Sequence, residues 1–211
     1  MVSLPSTMLS IFVTLFVTIG PIETAAIFAG LTGGVHRAER GSLARRSVLI
    51  AGAVLLFFAL AGASLLSLLH ISLPAFRVAG GVLLFLQALT LTFSTPGLSS
   101  ITEGEKAEAR KPGDIAVFPL AFPLIAGPGA LTATVLLTGR ASSWTETAMV
   151  CAMLTLCLAT TLMAMLAADR LMRSLGRTGA DVTGRISGVL LAALAVQFIF
   201  DGLRDAPFLR E

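Results

Sequence analysis

Eleven residues in the apolar segments of this chain have the chemistry to hold a small polar molecule. Glycine and proline interrupt helices and so leave backbone N–H and C=O groups free, while glutamate, threonine and glutamine add side-chain donors and acceptors. The candidate substrate-binding residues are Gly20, Pro21, Glu23, Thr24, Gln87, Pro123, Gly127, Pro128, Gly129, Thr132 and Gln197.

The strongest interruption lies in the apolar run 115–138, where Pro119, Pro123 and Pro128 are joined by Gly127 and Gly129. Proline lacks the N–H that an interior helical residue donates, and the residue before it is pushed out of the helical region, so this run cannot be one smooth helix. Broken backbone at membrane depth must be buried in protein or line a wet cavity. Transporters bind substrate at such breaks, and the glycines would let the backbone approach a solute closely. The alternative is a proline kink that only shapes packing.

The first apolar run carries its own interruption at Gly20-Pro21, followed directly by Glu23 and Thr24. A dry site favours the neutral form of a carboxylic acid, so Glu23 is a candidate for proton coupling. With Gly20 at the N-cap, however, Glu23 falls at the third helical position, where glutamate commonly caps a helix. A cap or a direct substrate ligand therefore stays open beside proton coupling.

The composition predicts a polytopic membrane protein. Of the 211 residues, 55% are hydrophobic and 13% charged, which is too apolar for an average soluble domain. The basic residues are mostly loop arginines that report orientation, so no nucleic-acid partner is expected. Cys151 and Cys157 lie six residues apart in an apolar run, on different helix faces, and indicate neither a metal site nor a disulfide. No removable signal peptide is expected.

Six apolar runs have about the length of 20 residues that a membrane-spanning helix needs. Eleven Lys and Arg residues fall in the first, third and fifth connections and four on the other side, which predicts both termini outside the cytoplasm. The runs are Leu9–Thr32, Val48–Leu69, Phe76–Phe93, Ile115–Thr138, Ala148–Ala168 and Ile186–Leu203.

The two halves of the chain resemble each other. Gly20-Pro21 recurs as Gly127-Pro128, and Arg77-Val-Ala-Gly80 recurs as Arg185-Ile-Ser-Gly188, at offsets of 107 and 108 residues. We therefore expect two three-helix repeats, 1–94 and 115–211, joined by a cytoplasmic linker, 95–114. An odd number of spans inverts the second repeat, so the broken first helices of both repeats would meet at the midplane.

Several motifs resemble those of the MarC family of six-span membrane proteins. They are Pro119-Leu-Ala-Phe-Pro-Leu-Ile-Ala-Gly-Pro-Gly-Ala130, Ala195-Val-Gln-Phe-Ile-Phe-Asp-Gly202 and Ile71-Ser-Leu-Pro-Ala-Phe-Arg-Val-Ala-Gly-Gly81. The family's first signature is usually Pro-(Leu/Ile)-Gly-Asn-x-Pro-x-Phe. Here Pro21, Ile22 and Phe28 match, while Glu23, Thr24 and Ala26 replace the Gly, Asn and second Pro. The departure falls within the candidate site.

The resemblance implies a bacterial inner-membrane protein, and some members of the family are regarded as neutral amino-acid transporters. We expect a secondary transporter of small neutral amino acids or similar zwitterions. Since the sequence has no Walker-type loop for ATP, the energy would come from a gradient of protons or sodium. An intramembrane enzyme is not expected, since His36 and His70 both lie in or beside connections. No metal or cofactor is expected, and a homo-oligomer is compatible with the sequence. The alternative function is a non-transporting membrane module that stabilises or regulates a partner.

Overall fold

Helices form every regular element that the computed structural model describes, which covers residues 4–93, 115–141 and 143–206. In chain order they are α1 (Leu4–Ile19), α2 (Pro21–Leu31), α3 (Arg37–Leu68), α4 (Leu73–Phe93), an irregular α5 (Ala116–Ile125), α6 (Pro128–Gly139), α7 (Trp144–Leu166) and α8 (Ala168–Arg204). The predicted all-α fold is confirmed. The predicted linker, 95–114, lies outside the described residues.

Within the described residues, five helical segments are long and apolar enough to cross a membrane: Ser6–Leu31, Glu39–Leu68, Leu73–Phe93, Trp144–Leu166 and Asp181–Arg204. The pair α5–α6, bent by 54° at its break, gives a sixth when counted as one span. Each of these segments overlaps one of the six apolar runs of the sequence.

Local sequence explains where the helices begin. Ser143 caps α7 because its hydroxyl accepts a hydrogen bond from the Glu146 N–H at 3.3 Å. α3 begins at Arg37, well before its apolar run, because the intervening arginines, alanines and leucine favour helix in water as well as in lipid. α8 is interrupted at Gly176, which adopts a φ of 65°.

Glycines bring α4 and α8 into close contact along the most extensive helix pairing in the described structure. A Cβ on Gly81 would lie 2.8 Å from the Ala195 carbonyl oxygen, and one on Gly202 would lie 2.9 Å from the Pro74 carbonyl oxygen. A Cβ on Gly188 would lie slightly farther away, 3.1 Å from the Ala88 carbonyl oxygen. Small residues thus let the two backbones approach, as in many membrane helix pairs.

Ion pairs mark the two ends of the bundle. At one end, Arg40 of α3 contacts Asp169 at the start of α8, at 3.0 Å. At the other, Arg77 of α4 contacts Asp205, which directly follows α8, at 2.6 Å. We call these the Arg40 end and the Arg77 end.

Candidate functional site

The first helix break is centred on Gly20. α1 ends at Ile19, Gly20 adopts the left-handed conformation with φ 61° and ψ 65°, and Pro21 begins α2. Glycine suits this position because side chains disfavour positive φ. The Thr24 hydroxyl donates to the Ile19 carbonyl at 3.3 Å, so this buried side chain satisfies backbone that the break would leave unpaired.

Glu23 folds back over Gly20. Its Oε2 lies 2.8 Å from the position that a Gly20 Cβ would occupy. A capping glutamate would accept a hydrogen bond from the Gly20 N–H, but that N–H donates to the Phe16 carbonyl at 3.0 Å. The other carboxylate oxygen, Oε1, is buried and has no hydrogen-bond partner in the described part of the chain. The geometry therefore lacks the hydrogen bond on which the capping interpretation depends.

The second break spans α5 and the start of α6. Phe118 and Phe122 have extended backbone inside α5, and Gly127, with ψ 170°, is extended immediately before Pro128. The half-buried Pro123 lies inside α5. α6 then begins at Pro128, so the next N–H groups, those of Gly129 and Ala130, lie in a first turn that offers no intrahelical acceptor.

Packing accounts for both glycines of this break. A Cβ on Gly127 would collide with the Pro123 carbonyl oxygen, and one on Gly129 would lie 2.5 Å from Leu84 Cδ2 and 3.0 Å from Gln87 Oε1. The chain's own atoms thus occupy the space around Gly129 that the sequence analysis assigned to a solute.

Gln87 of α4 is brought to the second break. Its Oε1 lies beside Gly129 and is buried without a hydrogen-bond partner among the described residues. Gln87 therefore presents an unused acceptor next to the first turn of α6.

Two threonines of α6 differ in role. Thr132 is buried, and its side chain fills the space that the absent side chain of Gly80 leaves on α4. Thr134 is fully buried, and its hydroxyl has no partner in the described residues. Thr134 is not among the eleven candidate residues, although a hydroxyl residue six positions after Pro128 in an apolar run is a signal that the sequence carries.

The two breaks share one buried core. Ile19 and Ala25 flank the first break, Ile125 and Ala130 flank the second, and all four belong to the same hydrophobic cluster. α2 also packs against α5, and α1 against α6. Ala88 and Ala133, which adjoin Gln87 and Thr134 in sequence, belong to a second hydrophobic cluster. We call the two breaks, with Glu23, Gln87 and Thr134, the break site.

The structure joins Gln197 to a different polar group. Its exposed side chain donates to Asp201 Oδ1 at 2.7 Å, and Asp201 accepts a hydrogen bond from Arg140 at 2.8 Å, both at the Arg77 end. Sequence reasoning missed the buried Arg77 of this group, whose Nη1 donates to Asp205.

The break site contains acceptors and donors of the kinds that pair with the two ends of a zwitterion. Three unpaired oxygens could accept hydrogen bonds from an ammonium group or contact a cation, while the free N–H groups at the start of α6 could donate to a carboxylate. Within the described residues, no group of three or more His, Cys, Asp or Glu side chains is arranged to hold a metal.

Comparison with known proteins identifies the family. The profile described as MarC family integral membrane protein matches residues 6–206. The chain is 35% identical over 195 residues to a UPF0056 membrane protein of Methanocaldococcus jannaschii, covering 92% of this chain and 95% of that protein. It is 32% identical over 195 residues to the UPF0056 membrane protein YvbG of Bacillus subtilis, covering 92% of each. No solved structure matches. The chain belongs to the MarC family of integral membrane proteins.

Proposed function

We propose that this protein is a secondary transporter of small zwitterions such as neutral amino acids, and that the break site binds the solute. One observation carries the proposal: at each interrupted helix a buried side-chain oxygen, Glu23 Oε1 or Gln87 Oε1, has no hydrogen-bond partner in the described residues.

The energetic cost of these oxygens supports a ligand. A buried polar group without a partner costs about 1–3 kcal/mol. With Thr134 Oγ1, three such oxygens are present, so their summed cost is on the order of several kcal/mol unless water or a solute pairs with them. An ammonium group has three donors, so a zwitterion that reaches any one of these oxygens could pair with it.

Transport requires an energy source, and we propose an ion gradient. Glu23 is the candidate for proton coupling, because a carboxylate beside a helix break can be dry in one state and wet in another. Sodium is the alternative coupling ion. We propose no catalytic role.

The packing of the helices supports an inverted repeat as the framework for transport. α3 packs against α5 and α6, while α7 packs against α1 and α2. α4 packs against α6, and α8 packs against α2. Exchanging the first three spans with the last three converts each of these pairings into another of them, as two related halves would require. The smaller contacts of α7 with α6 and with α8 have no counterpart of the same extent at α3.

We further propose an inner-membrane location with both termini periplasmic. The charge bias of the connections then places the Arg40 end in the cytoplasm.

The close packing of Gly127 and Gly129 favours the second candidate, a non-transporting module that stabilises or regulates a partner. Under this alternative the breaks serve packing alone, and the unpaired oxygens have no solute.

Exchange by purified protein in liposomes distinguishes the two candidates. Vesicles loaded with unlabelled alanine should take up labelled alanine or glycine faster than protein-free vesicles, and a proton or sodium gradient should drive accumulation. Gln87→Leu should reduce exchange because it removes the unpaired oxygen at nearly constant volume. Folded wild-type protein that exchanges neither solute would favour the non-transporting module.

A further inference from the structure

A cavity of about 270 Å³ lies at the Arg40 end and takes no part in the break site. Apolar side chains, among them Phe28, Met165 and Leu166, form much of its wall. Three candidate spans begin or end at its level, at Leu31, Glu39 and Leu166. The cavity therefore lies where the hydrocarbon core of the membrane meets water.

The ion pair in the wall of this cavity is already satisfied. Arg40 Nη1 donates to both carboxylate oxygens of Asp169, at 3.0 and 3.2 Å. Its Nη2 donates to the Gly33 carbonyl and its Nε to the Val35 carbonyl. Arg40 and Asp169 thus add no net charge to the cavity.

The rim of the cavity is positive. Arg170 lines the cavity, is exposed and has no ion pair among the described residues. Arg45 does not line the cavity, but its Nε donates to the carbonyl of the lining residue Gly41 at 3.2 Å, so its guanidinium lies next to the cavity. Of the charged side chains nearby, the exposed Arg173 adds positive charge, and the exposed Glu39 in the first turn of α3 adds negative charge.

We propose that this cavity binds the headgroup of an anionic phospholipid, with the phosphate held by Arg45 and Arg170. Arginine suits this role because its fork of N–H donors matches phosphate oxygens. The cavity is smaller than the roughly 300–1,000 Å³ that enclose whole drug-sized ligands. It therefore holds a headgroup while the acyl chains lie along the exposed apolar side chains of the neighbouring helices. Basic pockets between membrane helices bind anionic headgroups in this way.

Lipid titration of the purified full-length chain tests the site without reference to transport. Phosphatidylglycerol, phosphatidylcholine with the same acyl chains, and inorganic phosphate are added in detergent, and bound lipid and the melting temperature are measured. Phosphatidylglycerol should remain bound and raise the melting temperature more than the other two. Arg45→Gln and Arg170→Gln should each weaken its binding about fivefold, the factor expected for the loss of one hydrogen bond to the phosphate.

Arg46 provides the matched control, since it is exposed and adjacent to Arg45 in sequence. Unlike Arg45, it has no side-chain hydrogen bond to a lining residue in the described part of the chain. Arg46→Gln removes the same charge and should leave binding unchanged. An equal loss in Arg46→Gln would show general surface attraction and overturn the site. Equal stabilisation by phosphatidylcholine, or by inorganic phosphate alone, would overturn the anionic lipid as its ligand. Arg170 makes no side-chain hydrogen bond among the described residues, so its substitution keeps the test valid if Arg45→Gln fails to fold.

Discussion

Three oxygen atoms, Glu23 Oε1, Gln87 Oε1 and Thr134 Oγ1, are buried without a hydrogen-bond partner in the described residues, and the proposed function depends on them. The neighbouring hydroxyl of Thr24, by contrast, has a partner. It donates to the Ile19 carbonyl and so pairs a backbone group at the first break. A buried hydroxyl that donates to an unpaired backbone carbonyl stabilises the fold, whereas a buried hydroxyl without a partner destabilises the fold unless a ligand pairs with it. Substitution of an unpaired group can therefore separate stability from transport.

Thr134→Val is the cleanest test of this distinction, because it replaces the hydroxyl by a methyl group at nearly constant volume. We expect the free energy of unfolding to stay constant or rise by about 1–3 kcal/mol, since a buried unpaired group is removed. Apparent solute affinity should fall roughly three- to tenfold, corresponding to one hydrogen bond. Denaturation in detergent and exchange in liposomes measure the two quantities.

Thr155→Val is the control for this substitution. Thr155 is exposed on α7, and its hydroxyl bonds its own helix at the Cys151 carbonyl, at 2.8 Å. Neither stability nor exchange should change much. A marked loss of stability in Thr134→Val would show that its hydroxyl has a structural partner, and unchanged exchange would remove Thr134 from the site.

Glu23→Gln tests proton coupling. Glutamine resembles the protonated carboxylic acid, so the variant should retain exchange of labelled for unlabelled solute but lose accumulation driven by a pH gradient. Paired flux assays on the same vesicles separate the two activities. Accumulation at the wild-type level would eliminate the coupling role, and loss of folded protein would indicate that Glu23 supports the first break.

At the scale of elements, ion pairs join helices at both ends of the bundle, but their burial differs. The side chain of Arg77 is 4% exposed and that of Arg40 is 20% exposed, while their partners Asp205 and Asp169 are similar, at 41% and 43%. The contribution of each aspartate to stability should therefore depend on how deeply its arginine is buried.

Asp205→Asn and Asp169→Asn form a matched pair for this prediction. Asp205→Asn removes the carboxylate that Arg77 contacts directly and leaves this buried arginine only the more distant charge of Asp201, so it should lower the free energy of unfolding by about 3 kcal/mol. Asp169→Asn removes the partner of the more exposed Arg40 and should lower the free energy of unfolding by about 1 kcal/mol or less. Chemical denaturation in detergent compares them directly. An equal loss of unfolding free energy in the two variants would show that burial of the arginine does not determine how much its ion pair contributes to stability.

The sequence predicts the spans better than the contacts between them. Hydropathy locates the apolar segments, and proline chemistry locates the break at 119–129, because both depend on local residues. The pairing of Arg77 with Asp205, 128 residues away, has no local signal. The contact between Gln197 and Asp201 was within reach, since residues four apart share a helix face. Gly129 was predicted to leave room for a solute because the sequence around it gives no sign of Leu84, which fills this space from a distant segment.

At the scale of the whole molecule, the bent pair α5–α6 determines how often the chain crosses the membrane. α6 ends beside Arg140, whose contact with Asp201 places this end of the helix at the Arg77 end. Leu73 at the start of α4 lies 3.2 Å from a would-be Cβ on Gly139, so the end of α6 and the start of α4 lie at the same end of the bundle. α6 has 12 residues and is therefore about 18 Å long, so it covers little more than half of a hydrocarbon core of about 30 Å. α5 must cover the rest if the pair is a full span.

Two cysteine substitutions test this crossing and the orientation together. Gly34 lies in the connection at the Arg40 end, where a Cβ would meet nothing within 4 Å, and Thr145 is exposed at the start of α7, next to the Arg77 end. Gly34→Cys and Thr145→Cys would be made with Cys151 and Cys157 replaced by alanine. The connections are separated by α3, α4 and α5–α6, so three crossings place them on opposite sides. The positive-inside bias then predicts that a membrane-impermeant thiol reagent labels Thr145→Cys in intact cells and Gly34→Cys only after permeabilisation.

The reverse labelling pattern would invert the orientation and place the Arg40 end outside the cytoplasm. Labelling of both from one side would mean that α5–α6 enters and leaves by the same face, which would exclude three spans per half and with them the inverted repeat.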